Sequence, residues 1–264
     1  MKISVIMSVF NGEKHIEDAI ESILDQTYRN FEFIIIDDGS FDKSLEIIQK
    51  YAAFDNRIKI IKNAKNIGLT KSLNKSIKMS KGDFIARQDV DDFSLPNRLK
   101  IQYDYLLENH EYSFNGCNGT IKQTGKALLK FFELHEIKNN LIIQNCFTHS
   151  TIFIRKQILK KYGYYDENYL YGQDYELWCR LIYKHNLKAK NLTEKLIIQS
   201  VPLEKLKEKN KEKFLGQKKN FVKTKLKYIR YSKNIVRGFV SIIKDIAEIA
   251  YVILFGKERS IKII

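Results

Sequence analysis

Three aspartates, Asp89, Asp91 and Asp92, stand within four positions of one another after the apolar run "FIAR", in a chain of formal net charge +15. Carboxylates this close repel one another and raise one another's pKa unless a cation lies between them. A hard divalent ion relieves the repulsion, because it binds one or two carboxylates and completes its shell with phosphate oxygens and water. The cluster has two interpretations: it holds a metal that binds a diphosphate, or it is a solvated acidic turn, which is the commoner case for an isolated cluster of this kind.

The elements that precede this acidic cluster are typical of an α/β sheet. Strand-like apolar runs alternate with helical patterns up to Gln88; the strands are "KISVIMSV", "FEFIIID", "RIKIIKN" and "DFIARQ". Between the first two, "EKHIEDAIESILDQ" places apolar residues along one stripe of an amphipathic helix. This alternation predicts a mostly parallel sheet flanked by helices, with ligands bound beyond the carboxyl ends of its strands.

The second half of the chain has a weaker pattern. "STIFIR" and "KLIIQSV" predict strands, "DYELWCRLIYKH" predicts a helix, and "FFELHEIKNNLIIQN" has helical spacing. Before that last stretch no period is clear, so we expect an irregular, substrate-facing segment between about residues 111 and 148.

The positive charge is concentrated at the C-terminal end, where residues 201–264 carry 17 Lys and Arg against 6 Asp and Glu. The stretch "FVSIIKDIAEIAYVILFG" approaches the length of a membrane span, but it contains Lys244, Asp245 and Glu248. Because charges are costly at the centre of a bilayer, we expect an amphipathic helix in the membrane interface, with the lysines on anionic headgroups. A helix packed on the domain with solvated lysines is the alternative.

Five stretches, in their order and spacing, resemble the family-2 glycosyltransferases of the GT-A fold. They are "VIMSVFNGEKHI", "ILDQTYRNFEFIIIDDGSFD", "NIGLTKSLN", "GDFIARQDVDDFSLPNRL" and "GQDYELWCRL", and the resemblance covers about residues 1 to 185. It implies a Rossmann-like GT-A domain over residues 1–200, in which 1–100 bind the nucleotide sugar and 101–200 bind the acceptor. Residues 201–264 would form a basic amphipathic helical tail.

The resemblance also implies a chemistry. A sugar leaves a UDP-sugar of the glucose, N-acetylglucosamine or galactose type with inversion, assisted by Mn²⁺ or Mg²⁺. Asp91 and His149 match metal-binding positions, and Asp174 matches the general base that removes the acceptor hydroxyl's proton. A helix N-cap is the structural alternative for Asp174. Gln173 stands where a glutamate is commoner, which puts the identity of the sugar in doubt.

Six further positions are implied as donor-binding residues: Phe10, Glu13, Asp38, Asn66, Arg87 and Asp89. Phe10 matches the aromatic that stacks on uracil, and Asp38 matches the carboxylate that hydrogen-bonds the base. Asp89 would lie near the ribose, and Arg87 would neutralise the diphosphate. The structural alternatives are a core aromatic for Phe10 and pairing with the neighbouring aspartates for Arg87.

The predicted function is transfer of a hexose to a hydroxyl of a membrane-linked glycan, either a lipid-linked oligosaccharide or a lipopolysaccharide, in a bacterium. We expect a cytoplasmic enzyme, peripheral on the inner face of the membrane, because the N-terminal apolar run is too short for a signal peptide. Two alternatives are a sugar nucleotidyltransferase and a catalytically silent nucleotide- or nucleic-acid-binding module. "SVFNGEKH" is a poor phosphate loop for the former, and the tail's lysines interleave with too few aromatics for nucleic acid.

Overall fold

The computed structural model describes residues 2–127, 134–200 and 211–255 of the 264-residue chain. Of these, residues 2–127, 147–164 and 188–200 form one compact unit, which we call the sheet unit. Residues 134–146, 165–187 and 211–255 form a second, the helical unit.

The sheet unit contains an eight-stranded sheet of order β3-β2-β1-β4-β7-β6-β8-β5. Its strands are β1 (Ile3–Val9), β2 (Phe31–Asp37), β3 (Ile58–Lys62), β4 (Phe84–Arg87), β5 (Asp92–Ser94), β6 (Tyr112–Ile121), β7 (Phe153–Arg155) and β8 (Lys188–Gln199). The pairs among β1 to β4 are parallel, as is β6 with β8, and the other pairs are antiparallel. The predicted mostly parallel α/β sheet is confirmed.

Helices cover this sheet: α1 (Ile16–Leu24), α2 (Ser44–Phe54), α3 (Leu69–Met79), α4 (Arg98–Glu108) and α6 (Lys156–Tyr162). The predicted apolar stripe of α1 is buried, with Ile16, Ala19, Ile20 and Ile23 packed in the core cluster. All seven residues of β2 are buried, as expected for a strand that is covered on both faces. The first four strands thereby become a rigid base for the loops at their carboxyl ends.

The expectation of an irregular segment between residues 111 and 148 was wrong for its first part. Residues 112–121 form β6, a strand that lies between β7 and β8 inside the sheet. Its sequence "YSFNGCNGTI" is rich in asparagine and glycine, which have low strand propensity. Pairing with both neighbours therefore decides its conformation. The helical spacing of residues 131–145 is confirmed at 134–140, while residues 131–133 lie outside the described part of the chain.

The helical unit contains α5 (Leu134–Asn140), α7 (Gln173–Cys179), α8 (Lys211–Tyr228) and α9 (Ile235–Phe255). A π-helical turn, Arg180–Lys184, continues α7. Buried Glu176 on α7 accepts a hydrogen bond of 2.7 Å from the Tyr228 hydroxyl and forms ion pairs with Arg180 and Lys227. The basic tail is therefore anchored to α7 through a charged network. None of the helices within residues 2–127, 134–200 and 211–255 combines the length and the hydropathy that a membrane span requires.

Candidate active site

The carboxyl ends of β1, β2 and β4 meet at one edge of the sheet unit. Val9 at the end of β1 pairs with Asp37 at the end of β2, and Ile6 pairs with Arg87 at the end of β4. The loops that follow these strands therefore leave the sheet side by side, as predicted for a ligand-binding edge. They carry most of the residues that the sequence predicts for the site.

The loops after β1 and β2 are joined by hydrogen bonds that present two aromatic rings. The Asn11 side-chain oxygen accepts from the Phe41 amide at 3.0 Å, and the Asn11 amide donates to the Ser40 hydroxyl at 3.1 Å. The rings of Phe10 and Phe41 meet edge to face, with centroids 5.8 Å apart. Phe10 is 44% exposed and Phe41 is 84% exposed, so the alternative that Phe10 is a core aromatic is wrong.

Asp38 is buried at the end of β2 and organises the turn after β3. One carboxylate oxygen accepts from the Asn63 amide group at 2.8 Å and from the Ile67 backbone at 3.0 Å. The other accepts from the Gly68 backbone at 2.9 Å. A carboxylate has about four lone-pair sites, and three of those of Asp38 are occupied by these hydrogen bonds. About one site is therefore left to accept a hydrogen bond from a nucleotide base.

Glu13 and Asn66, two predicted donor-binding residues, lie on exposed turns at the same edge. The Glu13 carboxylate accepts from the Lys43 amide at 3.0 Å, which closes the loop before α2. The backbone of Asn66 packs against Gly39, where an added Cβ would stand 2.7 Å from the Asn66 nitrogen. Because Gly39 also has φ of +76°, a side chain there would disturb this edge.

The acidic loop, which we define as residues 88–92, begins with an ion pair. Buried Arg87 contacts the Asp89 carboxylate, so the pairing alternative for Arg87 is observed. Nevertheless, its Nε and Nη1 atoms are buried and have no hydrogen-bond partner within residues 2–127, 134–200 and 211–255. The guanidinium thus retains donors for an anionic ligand.

Asp92 is a buried and strongly perturbed carboxylate of the loop. Burial raises the pKa of Asp92 to about 7, and the charge of Asp89 adds to the shift, while the neighbouring Ser150 hydroxyl opposes it. Neither oxygen of Asp92 accepts a well-directed hydrogen bond from the described residues. Asp91 and Asp92 line a cavity of about 280 Å³ together with His15 and Lys122.

These residues fit a divalent ion that is completed by its ligand. In the described part of the chain, no group of three His, Cys, Asp or Glu side chains could hold an ion by itself. Magnesium-type sites commonly use one or two carboxylates, and substrate phosphates and water supply the rest. Of the predicted pair, Asp91 supplies such a carboxylate, whereas the imidazole of His149 is a nitrogen donor that suits a transition-metal ion better than Mg²⁺.

His149 begins a short 3-10 turn, His149–Thr151, next to the acidic loop. Burial lowers the pKa of its ring well below the ordinary value, and the charge of Arg87 adds to the effect. The ring is therefore neutral at physiological pH, the form in which imidazole binds metals.

Arg98, at the start of α4, fixes the position of the acidic loop through hydrogen bonds from its buried guanidinium. Its fully buried guanidinium donates to the backbone oxygens of Arg87 at 2.5 Å and Ser150 at 2.7 Å. It also donates to the side-chain oxygen of Gln88 at 3.0 Å. Gln88 in turn donates to the backbone oxygen of Asp92 at 2.7 Å. The guanidinium of Arg98 thus connects β4, the acidic loop and the turn that carries His149 by hydrogen bonds.

Asp174 belongs to the helical unit. The N-cap of α7 is Gly172 in a left-handed conformation, so Asp174 lies in the first turn and the N-cap alternative is wrong. The side-chain amide of Asn145 donates to the Asp174 carboxylate at 2.8 Å. This bond orients a partly exposed carboxylate at the beginning of a helix.

The structure places eight of the nine predicted residues in the sheet unit: Phe10, Glu13, Asp38, Asn66, Arg87, Asp89, Asp91 and His149. Sequence analysis missed four contributors: Phe41, Gln88, Arg98 and Asn145. Phe41 follows "DDGS" directly and could have been recognised as an aromatic on a ligand-binding loop. Asn145 stands 29 positions before Asp174 and has no local signal.

Comparisons with known proteins point to one family. The sequence profile described as "Glycosyl transferase family 2" matches residues 4–163. The O-antigen biosynthesis glycosyltransferase WbnJ of Escherichia coli is 38% identical over 202 residues, which cover 74% of this chain and 78% of WbnJ. An uncharacterized glycosyltransferase of Methanocaldococcus jannaschii is 36% identical over 189 residues, 68% of this chain but only 64% of that relative.

A third relative carries a detailed name. WfgD of Escherichia coli, named a UDP-Glc:alpha-D-GlcNAc-diphosphoundecaprenol beta-1,3-glucosyltransferase, is 30% identical over 190 residues. These residues cover 72% of this chain and 73% of WfgD.

Solved structures agree on the fold. TarS 1–349 of S. aureus in complex with UDP-GlcNAc superimposes with a TM-score of 0.70 at 19% identity, covering 95% of this chain and 73% of that one. The mannosyltransferase PcManGT of Pyrobaculum calidifontis, in complex with GDP-Man and Mn²⁺, gives 0.70 at 14% identity, covering 97% and 76%. This chain spans 44% of the longer TarS structure. At such identities the likeness concerns the fold, and it confirms the predicted GT-A architecture.

Proposed function

The chain belongs to glycosyl transferase family 2, and from that membership we propose that it moves a sugar from a UDP-sugar to a hydroxyl of a membrane-linked glycan. The observation that carries the proposal is the buried Arg87, whose Nε and Nη1 have no hydrogen-bond partner in the described part of the chain and which lies at the edge where Phe10 and Phe41 are exposed. Aromatic rings, a cation and carboxylates at one edge match the base, the diphosphate and the metal of a nucleotide sugar.

In this proposal the nucleoside lies on the loops after β1 and β2. The exposed ring of Phe10 offers a stacking surface for uracil, and Phe41 borders it. Asp38 shapes the neighbouring turn and adds a remaining lone pair for the base. A UDP donor is supported by the name of WfgD and by the UDP-GlcNAc complex of TarS. Glucose, N-acetylglucosamine and galactose remain the proposed sugar types.

The diphosphate is then neutralised from two sides. Arg87 donates its Nε and Nη1 hydrogens to phosphate oxygens while Asp89 holds the far side of the guanidinium. Asp91 and His149 would hold Mn²⁺ or Mg²⁺; the Mn²⁺ complex of PcManGT supports the use of a divalent metal in this fold, and the two ligands remain predictions. When bound, the ion stabilises the charge that develops on the departing nucleoside diphosphate.

Asp174 acts as the general base. Its carboxylate accepts the proton of the acceptor hydroxyl as that oxygen attacks the anomeric carbon, and the configuration inverts because the displacement is direct. The amide of Asn145 sets the orientation of the carboxylate. No nucleophile from the protein is required.

We propose that the acceptor is a lipid-linked oligosaccharide or a lipopolysaccharide of a bacterial surface-polysaccharide pathway. The names of WfgD, which includes diphosphoundecaprenol, and of WbnJ, which includes O-antigen biosynthesis, support this class. An enzyme of this kind acts at the cytoplasmic face of the membrane.

The test is donor hydrolysis by the purified chain in Mn²⁺ or Mg²⁺, with UDP-glucose, UDP-N-acetylglucosamine, UDP-galactose and GDP-mannose compared in parallel. We expect slow release of UDP from one or more UDP-sugars and none after chelation of the metal. Release of GDP from GDP-mannose alone would show that the donor is a GDP-sugar and not a UDP-sugar. Tight UDP binding without turnover, even with lipid-linked acceptors, would favour a silent binding module. Pyrophosphate release from UTP and a sugar phosphate would favour a nucleotidyltransferase.

A further inference from the structure

Helix α9 turns its polar side inward and its apolar side outward. Its buried residues are Gly238, Ser241, Ile242, Asp245, Glu248 and Val252. They share one face of the helix, and half of them have polar side chains. This is the reverse of an ordinary surface helix, which buries its apolar stripe and exposes its charges.

The inward acids of α9 are all neutralised by lysines of α8. Lys218 forms ion pairs with Asp245 at 2.7 Å and with Glu248 at 2.6 Å. Lys225 contacts the other oxygen of Asp245 and donates to the Ser241 hydroxyl at 2.7 Å. The two acids that argued against burial of this stretch in a bilayer are therefore turned away from the outer face.

The outer face of α9 is a continuous apolar surface. Its exposed members are Ile235, Val236, Phe239, Val240, Ile243, Ile246, Ile253 and Leu254. A helix of 21 residues is about 30 Å long, so the surface extends over several turns. Large contiguous apolar patches on a protein surface mark sites of interaction with a partner or a membrane.

Cations border this apolar surface along one side. Arg237 and Lys244 stand seven positions apart on α9, which places them on nearly one line along the helix, and the partly exposed Lys244 lies 4.0 Å from Glu248. Helix α8 contributes further exposed lysines to the same unit: Lys211, Lys213, Lys219, Lys223 and Lys227. A second copy of the chain would bring the same positive charge against this face, whereas an anionic lipid surface is complementary to it.

We propose that the outer face of α9 docks in the plane of an anionic membrane, with its apolar side chains among the acyl chains and Arg237 and Lys244 at the headgroups. A helix with an apolar face and basic borders is the type that lies in the interface. Long basic side chains reach the headgroups from such positions.

Docking would also present a membrane-borne acceptor to the predicted base, a consequence that rests on the proposed function. A cavity of about 510 Å³ in the helical unit is lined by Arg237 and Lys244 of α9, by Lys218 and by Asn145. Asn145 is the residue that donates to Asp174. The headgroup side of the docked helix therefore adjoins the residue that orients the base.

Flotation with vesicles tests the docking. Ile243→Asp places a charge on the outer face, and Phe54→Asp, at an even more exposed apolar residue of α2 in the sheet unit, is the control. We expect the unaltered chain and the control to float with vesicles of phosphatidylglycerol and phosphatidylcholine. Ile243→Asp should lower the bound fraction by about tenfold, because a charge would enter the apolar layer. Equal binding of Ile243→Asp and the control would overturn the proposal.

A fluorescent label distinguishes docking from misfolding of a variant. The three native cysteines are buried, so a cysteine introduced at Val236 or Ile253 can be labelled selectively. An environment-sensitive dye at either position should shift to the blue on addition of anionic vesicles, and one at Phe54 should not. Absence of a shift at both α9 positions would refute the proposal for the intact chain.

Two further experiments test the contribution of Arg237 and Lys244 to membrane binding and the alternative that two copies of the chain associate through this face. Raising the salt from ~0.1 M to ~1 M shortens the Debye length from about 10 Å to about 3 Å and should weaken binding to anionic vesicles. Arg237→Glu combined with Lys244→Glu should remove the preference for anionic over neutral vesicles. A lipid-free dimer that Ile243→Asp dissociates, together with no flotation, would show that two copies cover this face.

The outcome is independent of the catalytic assignment. A chain that floats with vesicles but hydrolyses no nucleotide sugar would contradict the proposed function and leave the docking supported. A chain that hydrolyses UDP-sugars but fails to float would contradict the docking alone.

Discussion

The acidic loop of the sheet unit and the inner face of α9 both bury carboxylates near cations, but they differ in how the charges are matched. On α9, Asp245 and Glu248 each contact a lysine of α8. In the acidic loop, Arg87 pairs with Asp89, while neither oxygen of Asp92 accepts a hydrogen bond from residues 2–127, 134–200 and 211–255. Burial and like charge consequently raise the pKa of Asp92 to about 7.

This difference separates carboxylates that lysines neutralise within the fold from a buried carboxylate, Asp92, that lacks a hydrogen-bond donor among the described residues. A buried charge with its partner in place is satisfied within the chain. Asp92, whose pKa is raised by burial and by the like charge of Asp89, is a perturbed group of the kind that concentrates at functional sites. Substitutions in the acidic loop should therefore reduce activity, while those on the inner face of α9 should reduce stability.

The largest effect is expected at Asp174, whose carboxylate is oriented by the amide of Asn145. Asp174→Asn should lower kcat for transfer by about 10² to 10⁴, because the general base is lost. UDP binding, measured by calorimetry, and the unfolding midpoint should stay nearly unchanged. Ordinary turnover by this variant would show that another group accepts the proton.

The next largest effect is expected at Asp91, the predicted metal ligand of the acidic loop. Asp91→Asn should lower metal-dependent turnover by about 10² to 10³, since an ion that stabilises the leaving diphosphate loses a ligand. Titration with Mn²⁺ should show a higher metal requirement, and thermal unfolding without metal should not show destabilisation. Undiminished turnover at low Mn²⁺ would remove Asp91 from the metal site.

On the matched side, Asp245→Asn leaves Lys225 buried beside a neutral group. Removing one partner of a buried ion pair costs about 3 kcal/mol or more of unfolding free energy, and we expect a loss of that order in urea denaturation. Donor hydrolysis by the folded protein should be unaffected. Adding Lys225→Met should recover part of the stability, because the uncompensated charge is then gone. If Asp245→Asn alone is neutral, the pair does not stabilise the helical unit.

The smallest effect is expected at the aromatic pair. Phe10→Ala should weaken UDP binding by about tenfold, because stacking of one base on an aromatic ring contributes about 1 to 3 kcal/mol. Phe54→Ala, at another exposed phenylalanine, is the control and should leave UDP affinity unchanged. Equal affinities of the two variants would show that the base does not stack on Phe10.

Local patterns predicted the first half of the fold well. The apolar runs of β1 and β2 and the stripe of α1 are contiguous in sequence, and burial on both faces or on one stripe follows from them. The acidic loop was predictable for the same reason, since its carboxylates directly follow a strand. Strand β6 was not, because its asparagines and glycines carry no strand signal and its two neighbours impose the conformation.

Residues that act across long separations escaped prediction. Arg98 reaches Ser150 over 52 positions, and Asn145 reaches Asp174 over 29. Neither contact leaves a periodic or motif signal in the chain. Such positioning residues become visible only when the loops they join are seen together.

The amino-acid sequence alone predicted the α/β architecture, the family resemblance and the polar residues of the sheet edge. It could do so because these features depend on short runs of neighbouring residues. Tertiary structure decided which charges are matched. It turned Asp245 and Glu248 of α9 toward lysines of α8 and left the isoleucines outside, since a helix pattern specifies two faces but not which of them a neighbouring helix will cover.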